Sequence, residues 1–543
     1  MSDRRRYALF LAGLWPLVLL VYAGLYDSWF LRDDFMWLAD ARVQLAEPLR
    51  FVTTRPSGYF RPMANLFFGI EYLLFGLSAT GYLVVNVLLH LTNASLLGRL
   101  LLSLGAPLRA ACAAAATAGL LVTAAPGVVW ISAIVSLLAL GFVLAAALFH
   151  RRFLLDGRLR DGVLAVACVA LAACSRESGV VAGVGILLVE LHHGGPRTLA
   201  RAAFWKRLIP FALVGAAYLA IQFDFLTSGI VGERSGGAAT GAGDGSPTAF
   251  LLSWMANLPA LAAWTAGGAT VSYQTGLLVL LGLPLALGLL GRRRGLVAAA
   301  WVLGLALLAL LPAFVQLANG PTIAARYRYE ATFAAAAAVA ALFAFGWGAG
   351  GRALTARARQ GLALVLLAVF LGGHAYSTSR FVDEEERFAV YADQTHAFDA
   401  ALTSLLVELG ADDPLLLHGD LPRTLVLAGA PVENPRHLRD QLAVLHGWPK
   451  SATSAIETVV LDLEDTTIRA GLRSAPFAEL ARATPTAEGA PPPLVFIWDR
   501  RALALVPAYD AEHVFGKLRY DWRRPNDPAT ATRLRVLLLG AER

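Results

Sequence analysis

The feature that most constrains this chain is the recurrence of long apolar segments separated by short, arginine-bearing connections. Such segments read at 7–24, 81–104, 107–125, 128–149, 162–175, 178–192, 208–226, 272–291, 295–318, 330–350 and 360–376. A helix needs about 20 apolar residues to cross roughly 30 Å of hydrocarbon, and most of these runs approach or exceed that length. Over 543 residues, 57% are hydrophobic and only 16% charged, too few polar side chains to cover a soluble body of this size. A polytopic α-helical membrane protein of about eleven spans is expected.

The connections set the topology. Arg4-Arg5-Arg6 precede the first segment and place the N-terminus in the cytoplasm. With eleven spans, Arg99/Arg109, Arg151-Arg152/Arg158/Arg160, Arg197/Arg201/Lys206-Arg207, Arg292-Arg293-Arg294 and Arg352/Arg357/Arg359 all fall on the cytoplasmic side. Counting 250–270 as a further span would send Arg292–Arg294 outside, so that stretch is assigned to the outer interface. No small-residue cleavage site follows 7–24, which reads as a retained anchor. The excess of Arg over Lys and the abundance of Ala fit a GC-rich bacterial genome, and the expected location is a bacterial inner membrane.

The outer face is then built from 26–80, 175–178, 227–271, 319–329 and everything after about 377. Within the first loop, 64–77 is apolar but too short to span and reads as an interfacial helix. After 376 the composition changes. Asp383-Glu384-Glu385-Glu386 opens an amphipathic helix with apolar residues at Phe388, Tyr391, Phe398, Leu402, Leu405 and Leu409. Strand-like runs follow at 415–417, 424–427, 459–463, 494–498 and 534–539. The division expected is a membrane domain, 1–376, and a soluble extracytoplasmic α/β domain, 377–543.

Several functions are excluded or disfavoured. The net charge of +7 comes from arginines placed by topology, and no basic and aromatic groove for nucleic acid is present. The glycines of 232–245 follow no strand and face away from cytosolic nucleotides, so they form a loop and not a phosphate cradle. Cys112, Cys168 and Cys174 lie in apolar segments without metal-site spacing and read as small buried hydrophobes. His192-His193 reads as a polar helix end on the cytoplasmic side.

The residues able to carry chemistry gather at the outer ends of spans. Asp33-Asp34 stand just past the first span among Trp29, Phe30, Phe35 and Trp37. Two carboxylates there cost desolvation energy and call for a cation, a metal or a substrate proton; the plain alternative is a solvated loop. Tyr59-Phe60-Arg61-Pro62 precedes the interfacial helix that carries Glu71. Arg61 either faces a phosphate or the acid pair, or is an interfacial residue before a helix-starting proline. Asn86 and His90 share one face of the second span, and an interhelical hydrogen bond is the favoured reading for both. Arg176-Glu177 form a charged turn between two short spans, either pointing into the protein or paired with one another. Asn319-Gly320-Pro321-Thr322 leads to Arg326-Tyr327-Arg328-Tyr329, which is either an interfacial Tyr/Arg belt or a clamp for an anionic head group.

In this order the motifs resemble the GT-C class of membrane glycosyltransferases, particularly bacterial relatives of protein O-mannosyltransferases. The resemblance rests on Asp33-Asp34, Phe60-Arg61-Pro62, Gly81-Tyr82 to Asn86 and His90, Arg176-Glu177, and Gly320-Pro321-Thr322 with Arg326-Tyr327 and Tyr329. It covers about 7–376. Members often carry Lys or another residue where Arg176 stands, and His where Leu83 stands beside the Gly-Tyr pair.

The resemblance implies a polyprenyl-phosphate-linked sugar donor, inverting transfer to a hydroxyl of a protein, lipid or polysaccharide, and Asp33 as general base with Asp34 as support or as the base. Arg326, Arg61, Arg176 and Tyr327 would bind the donor phosphate, with Glu177, Glu71, Asn86 and His90 in support. No cofactor is expected; some members hold a divalent metal through such acids, which leaves Asp33/Asp34 open to one. A flippase for a lipid-linked sugar is the competing reading. It is disfavoured because no internal repeat is present and the charges avoid mid-membrane depth. A non-catalytic envelope scaffold is the third.

Overall fold

The computed structural model describes residues 1–231 apart from 27, 32, 56–58 and 122–123. Beyond these it describes 329–347, 355–368, 395–401, 403, 441, 444–445 and four strands between 424 and 507. By contact the chain divides into two units, Met1–Asp27 with Glu47–Glu386, and Ser28–Ala46 with Arg387–Arg543.

The first unit is helical. Its elements are α1 (Asp3–Val21), α3 (Arg50–Thr53), α4 (Pro62–Phe75), α5 (Ala79–Ser103), α6 (Leu108–Leu120) and α7 (Ala125–Val129). These continue with α8 (Ile134–Asp156), α9 (Leu159–Ser175), α10 (Ala182–Gly194), α11 (Ala202–Val231) and α12 (Tyr329–Trp347); α2 (Asp33–Ala46) belongs to the second unit. Among the described residues, Ala79–Ser103, Ile131–Asp156 and Ala202–Gln222 are long and apolar enough to cross a membrane. The chain is a membrane protein. Pro62–Phe75 is apolar but shorter, about 21 Å at 1.5 Å per residue. Of the expected spans, 272–291 and 295–318 lie outside the described residues, as do 250–270, Arg326 and Tyr327.

The helices nest around α8. The span that ends in α8 is 83% buried, whereas the α11 span is 17% buried and exposes Trp205, Ile209, Leu213 and Leu219. In a bilayer such an apolar exposed face is solvated by lipid tails. Close approach elsewhere relies on small side chains. Ala110, Ala111, Ala114, Ala115 and Ala118 of α6 are buried, as are Ala335–Ala341 of α12, and the two helices pack together. Such small-residue faces associate through van der Waals contact, since lipid gives no hydrophobic drive. The first helix docks on α5 through Tyr7 Oη donating to the Ser95 carbonyl (2.9 Å) and Trp15 Nε1 donating to Ser95 Oγ (3.0 Å).

The apolar run expected as one span over 128–149 is broken. Pro126 opens the short α7, Trp130 is extended (φ −81°, ψ 115°), and a 3-10 turn at Ile131–Ala133 leads into α8. Such a break interrupts the helical ladder in a region without water. The Trp130 carbonyl still accepts the Ala133 N–H (2.9 Å) and the Ile131 carbonyl that of Ile134. Asn86 of α5 adds to them, its Nδ2 donating to the carbonyls of Val128 (3.0 Å), Trp130 (3.3 Å) and Ile131 (3.5 Å). Replacing Asn86 with Leu should therefore cost about 1–3 kcal/mol, the cost of removing one partner of a buried hydrogen bond. Thermal unfolding of the purified protein in detergent reads that loss as a lowered midpoint.

The second unit contains α2 and a four-stranded sheet among its described residues. The strands are β1 (Thr424–Ala428), β2 (Glu457–Leu461), β3 (Leu494–Asp499) and β4 (Ala504–Pro507), in the order β2-β1-β3-β4. β1 pairs in parallel with both β2 and β3, and β3 with β4 antiparallel. Parallel neighbours require long crossovers, whereas the antiparallel β3–β4 pair needs only the short 500–503 connection. β4, which ends at Pro507, is a strand the alternation pattern did not single out; the runs at 415–417 and 534–539 lie outside the described residues.

Candidate functional site

In the helical unit the 59–62 segment and the 175–178 turn meet in a charge cluster. Pro62 stands at the first position of α4, where its missing N–H costs nothing and its ring fixes the entry. Proline also forces the preceding residue out of the helical region, and Arg61 sits at φ −133°, ψ 56°. On the other side α9 ends at Arg176, which is extended (φ −159°, ψ 147°), and a 3-10 turn over Glu177–Val181 follows.

The two breaks bring Arg61 onto Glu177 in a two-pronged pair. Arg61 Nη2 lies 2.9 Å from Oε1 and 2.7 Å from Oε2, and Nε lies 3.1 Å from Oε2. The side chains are 14% and 24% exposed, so the pair is shielded without being sealed. The Tyr59 ring lies 4.3 Å from the Arg61 guanidinium carbon, a cation–π contact. Phe60 between them is tied to α11, its N–H donating to Gln222 Oε1 (3.0 Å) and its carbonyl accepting from Tyr218 Oη (3.4 Å). Arg176 is buried and donates from Nη1 to Ser136 Oγ.

The electrostatics are unequal. Burial pushes the Glu177 carboxyl up, but Arg61 and Arg176 more than offset this and hold it below the ordinary carboxylate range. Two guanidiniums thus stand beside one carboxylate. Guanidinium suits phosphate because its donors match two oxygens at once.

Gly179 permits the turn. A Cβ on it would fall on the backbone carbonyl of Ala172 in α9. A Gly179→Ala variant must move the turn that presents Glu177, so a loss of about 1–3 kcal/mol is expected, the usual cost of overpacking. A lowered unfolding midpoint, together with a weakened Arg61–Glu177 coupling in a double-mutant cycle, checks this.

Asn86 and His90 sit apart from that cluster in role. His90 Nδ1 lies 3.1 Å from Tyr329 Oη and Nε2 3.3 Å from the Gly119 carbonyl. Asn93 donates to the same Tyr329 Oη (3.1 Å) and to the Leu137 carbonyl (2.8 Å). Together Asn86, His90 and Asn93 make a polar stripe on α5 that joins α6, α8 and α12. Asn93 continues the same helical face at the next turn, so the i, i+4, i+7 spacing in the sequence contains it. Gln222 and Ser136 carry no comparable pattern. Glu71 is buried on α4.

In the second unit Asp33 and Asp34 open α2. Asp34 is buried, its Oδ2 accepting the Leu31 N–H (2.8 Å) while its own N–H donates to the Leu31 carbonyl (2.8 Å). The Asp34 carboxylate thus reaches back to a backbone N–H ahead of the helix, and acids are favoured in the first helical turn by the helix dipole. Asp33 is the more exposed of the two. Phe30 and Phe35 pack edge to face beside them (6.0 Å between centroids). Among the described residues no group of three or more His, Cys, Asp or Glu side chains is arranged to hold a metal.

No family model matches the chain, and no curated protein matches it. Among solved structures it is similar to the archaeal oligosaccharyltransferase AglB from Archaeoglobus fulgidus, in complex with an inhibitory peptide and a dolichol-phosphate. The identity is 13%, the match covers 72% of this chain and 58% of that one, and the TM-score is 0.37. This chain thus spans little more than half of that protein's length, and a score this low does not establish a shared fold.

Proposed function

We propose that the protein is a glycosyltransferase that moves a sugar from a polyprenyl-phosphate donor to a hydroxyl acceptor at the outer face of a bacterial inner membrane, with inversion. The observation that carries this reading is the Arg61–Glu177–Arg176 cluster, a two-pronged ion pair with a second guanidinium beside it, at a shielded yet open position within a membrane protein. The order of motifs, which resembles the GT-C class, supports it.

The roles follow from the chemistry. The acceptor hydroxyl attacks the anomeric carbon while Asp33 takes its proton, the general-base role. The bond from that carbon to phosphate oxygen breaks, and polyprenyl phosphate leaves with the electron pair. Negative charge grows on the leaving phosphate, and Arg61 and Arg176 stabilise it where it develops. Glu177 holds the Arg61 fork in one plane, and Asp34 supports the start of α2. Arg326 and Tyr327 are given the same phosphate-binding role on the motif resemblance. In this reading 1–376 carries the donor, 377–543 is an extracytoplasmic domain, and Ser28–Ala46 groups with the latter.

Reconstitution in liposomes with labelled polyprenyl-phosphate sugar tests the assignment. Acid-dependent sugar release or transfer is expected. Translocation of intact lipid that survives in Asp33→Asn would establish a flippase instead.

A further inference from the structure

The helix over 395–401 contains a carboxylate that the proposed reaction does not use. Asp399 is 2% exposed. Its Oδ2 accepts the indole N–H of Trp29 at 2.7 Å, and Gln441 Nε2 lies 3.3 Å from its Oδ1. The Trp29 ring also stacks on His396, one turn earlier on the same helix (4.2 Å between centroids, 24° apart). A weaker contact runs parallel, Arg42 Nη1 reaching the Val444 carbonyl at 3.5 Å. All of these join partners within the second unit, across 370 residues of sequence for Trp29 and Asp399.

Trp29 stands four residues before Asp33, linked to it through Phe30 and Leu31, whose N–H the Asp34 carboxylate holds. A fixed Trp29 therefore fixes the start of α2. We infer that Asp399 is a positioning residue: through Trp29 it latches the segment bearing Asp33 and Asp34 onto the C-terminal part of its own unit, and the latch holds while Asp399 carries a proton. This rests on the reading of Asp33 as the reaction's base.

The chemistry of the partners supports a protonated acid. Both groups that touch the carboxyl, Trp29 and Gln441, are neutral. The titratable groups on the elements packed against it are His396 on its own helix and Asp33, Asp34, Asp40 and Arg42 on 28–46. Burial pushes the Asp399 carboxyl up to about 8, with the Trp29 hydrogen bond acting against it. A protonated Oδ1 needs an acceptor, and Gln441 Oε1 is buried without a hydrogen-bond partner. Turning the Gln441 amide over, an assignment set by the hydrogen-bond network, presents that oxygen to the acid proton. Among the described residues no cation touches this carboxyl, so the stability its proton lends the latch is lost progressively as pH rises above the ordinary carboxylate range, and the loss is complete by about 8, where the latched carboxyl itself ionises.

The test uses the full-length protein in detergent, with the Trp29 signal taken as the fluorescence difference from Trp29→Phe. Wild type should show a Trp29 transition on raising the pH that is complete by about pH 8. Its kcat for sugar transfer should fall over the same range at unchanged KM for the polyprenyl-phosphate donor. Asp399→Asn keeps the acceptor for Trp29 and removes the titration, so both profiles should become flat with neutral-pH turnover retained. Asp399→Leu, or Trp29→Phe where that variant does not fold, should lower kcat roughly tenfold on the acid side of the transition, about one hydrogen bond's worth, and match wild type on its alkaline side. An alkaline limb unchanged in Asp399→Asn, or wild-type kcat in both Asp399→Leu and Trp29→Phe, overturns the latch. A Trp29 transition abolished by Asp399→Asn in a protein that transfers no sugar keeps the latch and rejects the transferase.

Discussion

Asp33→Asn should lower sugar transfer about a thousandfold while leaving membrane insertion and folding intact, as general bases contribute about 10²–10⁴ in rate. The substitution preserves shape and removes only the ability to take a proton. The carboxylate that caps Leu31 is Asp34, so the start of α2 survives the change. Asp34→Asn should behave differently. It weakens the cap and the favourable interaction with the helix dipole, together about 1 kcal/mol, and so lowers the unfolding midpoint more than it lowers turnover. Single-turnover rates at saturating donor, beside unfolding curves, separate the two. Full activity in both variants would sink the assignment of the acid pair.

Arg61→Ala is expected to have the second large effect, on donor affinity and on stability together. A hydrogen bond to a charged group contributes about 1.5–3 kcal/mol, which corresponds to a loss of roughly ten- to a hundredfold in binding of polyprenyl phosphate. The same change strands Glu177 in a shielded position beside Arg176 alone. Breaking such a pair costs about 3 kcal/mol, at the low end for buried pairs because both side chains keep some exposure. Arg61→Lys should recover part of the binding and little of the pair's geometry, since a single ammonium cannot match two carboxylate oxygens.

The pH dependence has a definite sign. The Glu177 carboxyl is held below its ordinary 4.5, so the stability it lends is complete above that value and is lost as pH falls through the lower, folded value. Acid unfolding of wild type should show this step, and Glu177→Gln should lack it. Donor binding by equilibrium dialysis, measured for Arg61→Ala and Arg61→Lys, gives the other half; wild-type affinity in both would remove Arg61 from the phosphate site.

Part of this was legible in the sequence because the physics is local. Hydrophobic length marked α5, α8 and α11, and Pro62 after Arg61 marked the start of α4. Charged residues between apolar runs marked Arg176 and Glu177 as a pair facing inward, but not that Glu177 would take Arg61, 116 residues away, as its partner. The break at Trp130 was invisible because the residues around it are as apolar as a continuous span, and the side chain that braces it, Asn86, comes from another helix. Asp399 was hidden for a similar reason. An acid in an amphipathic helix reads as a solvated position, and its burial depends on Trp29, which the fold brings from the other end of the chain.

The most direct test of the central claim is sugar release from a panel of polyprenyl-phosphate sugars by the purified protein, wild type beside Asp33→Asn. Release from at least one donor by wild type, reduced about a thousandfold in the variant, is the result expected of an acid-assisted transferase. Donor binding with no turnover, or turnover equal in the two proteins, would contradict it.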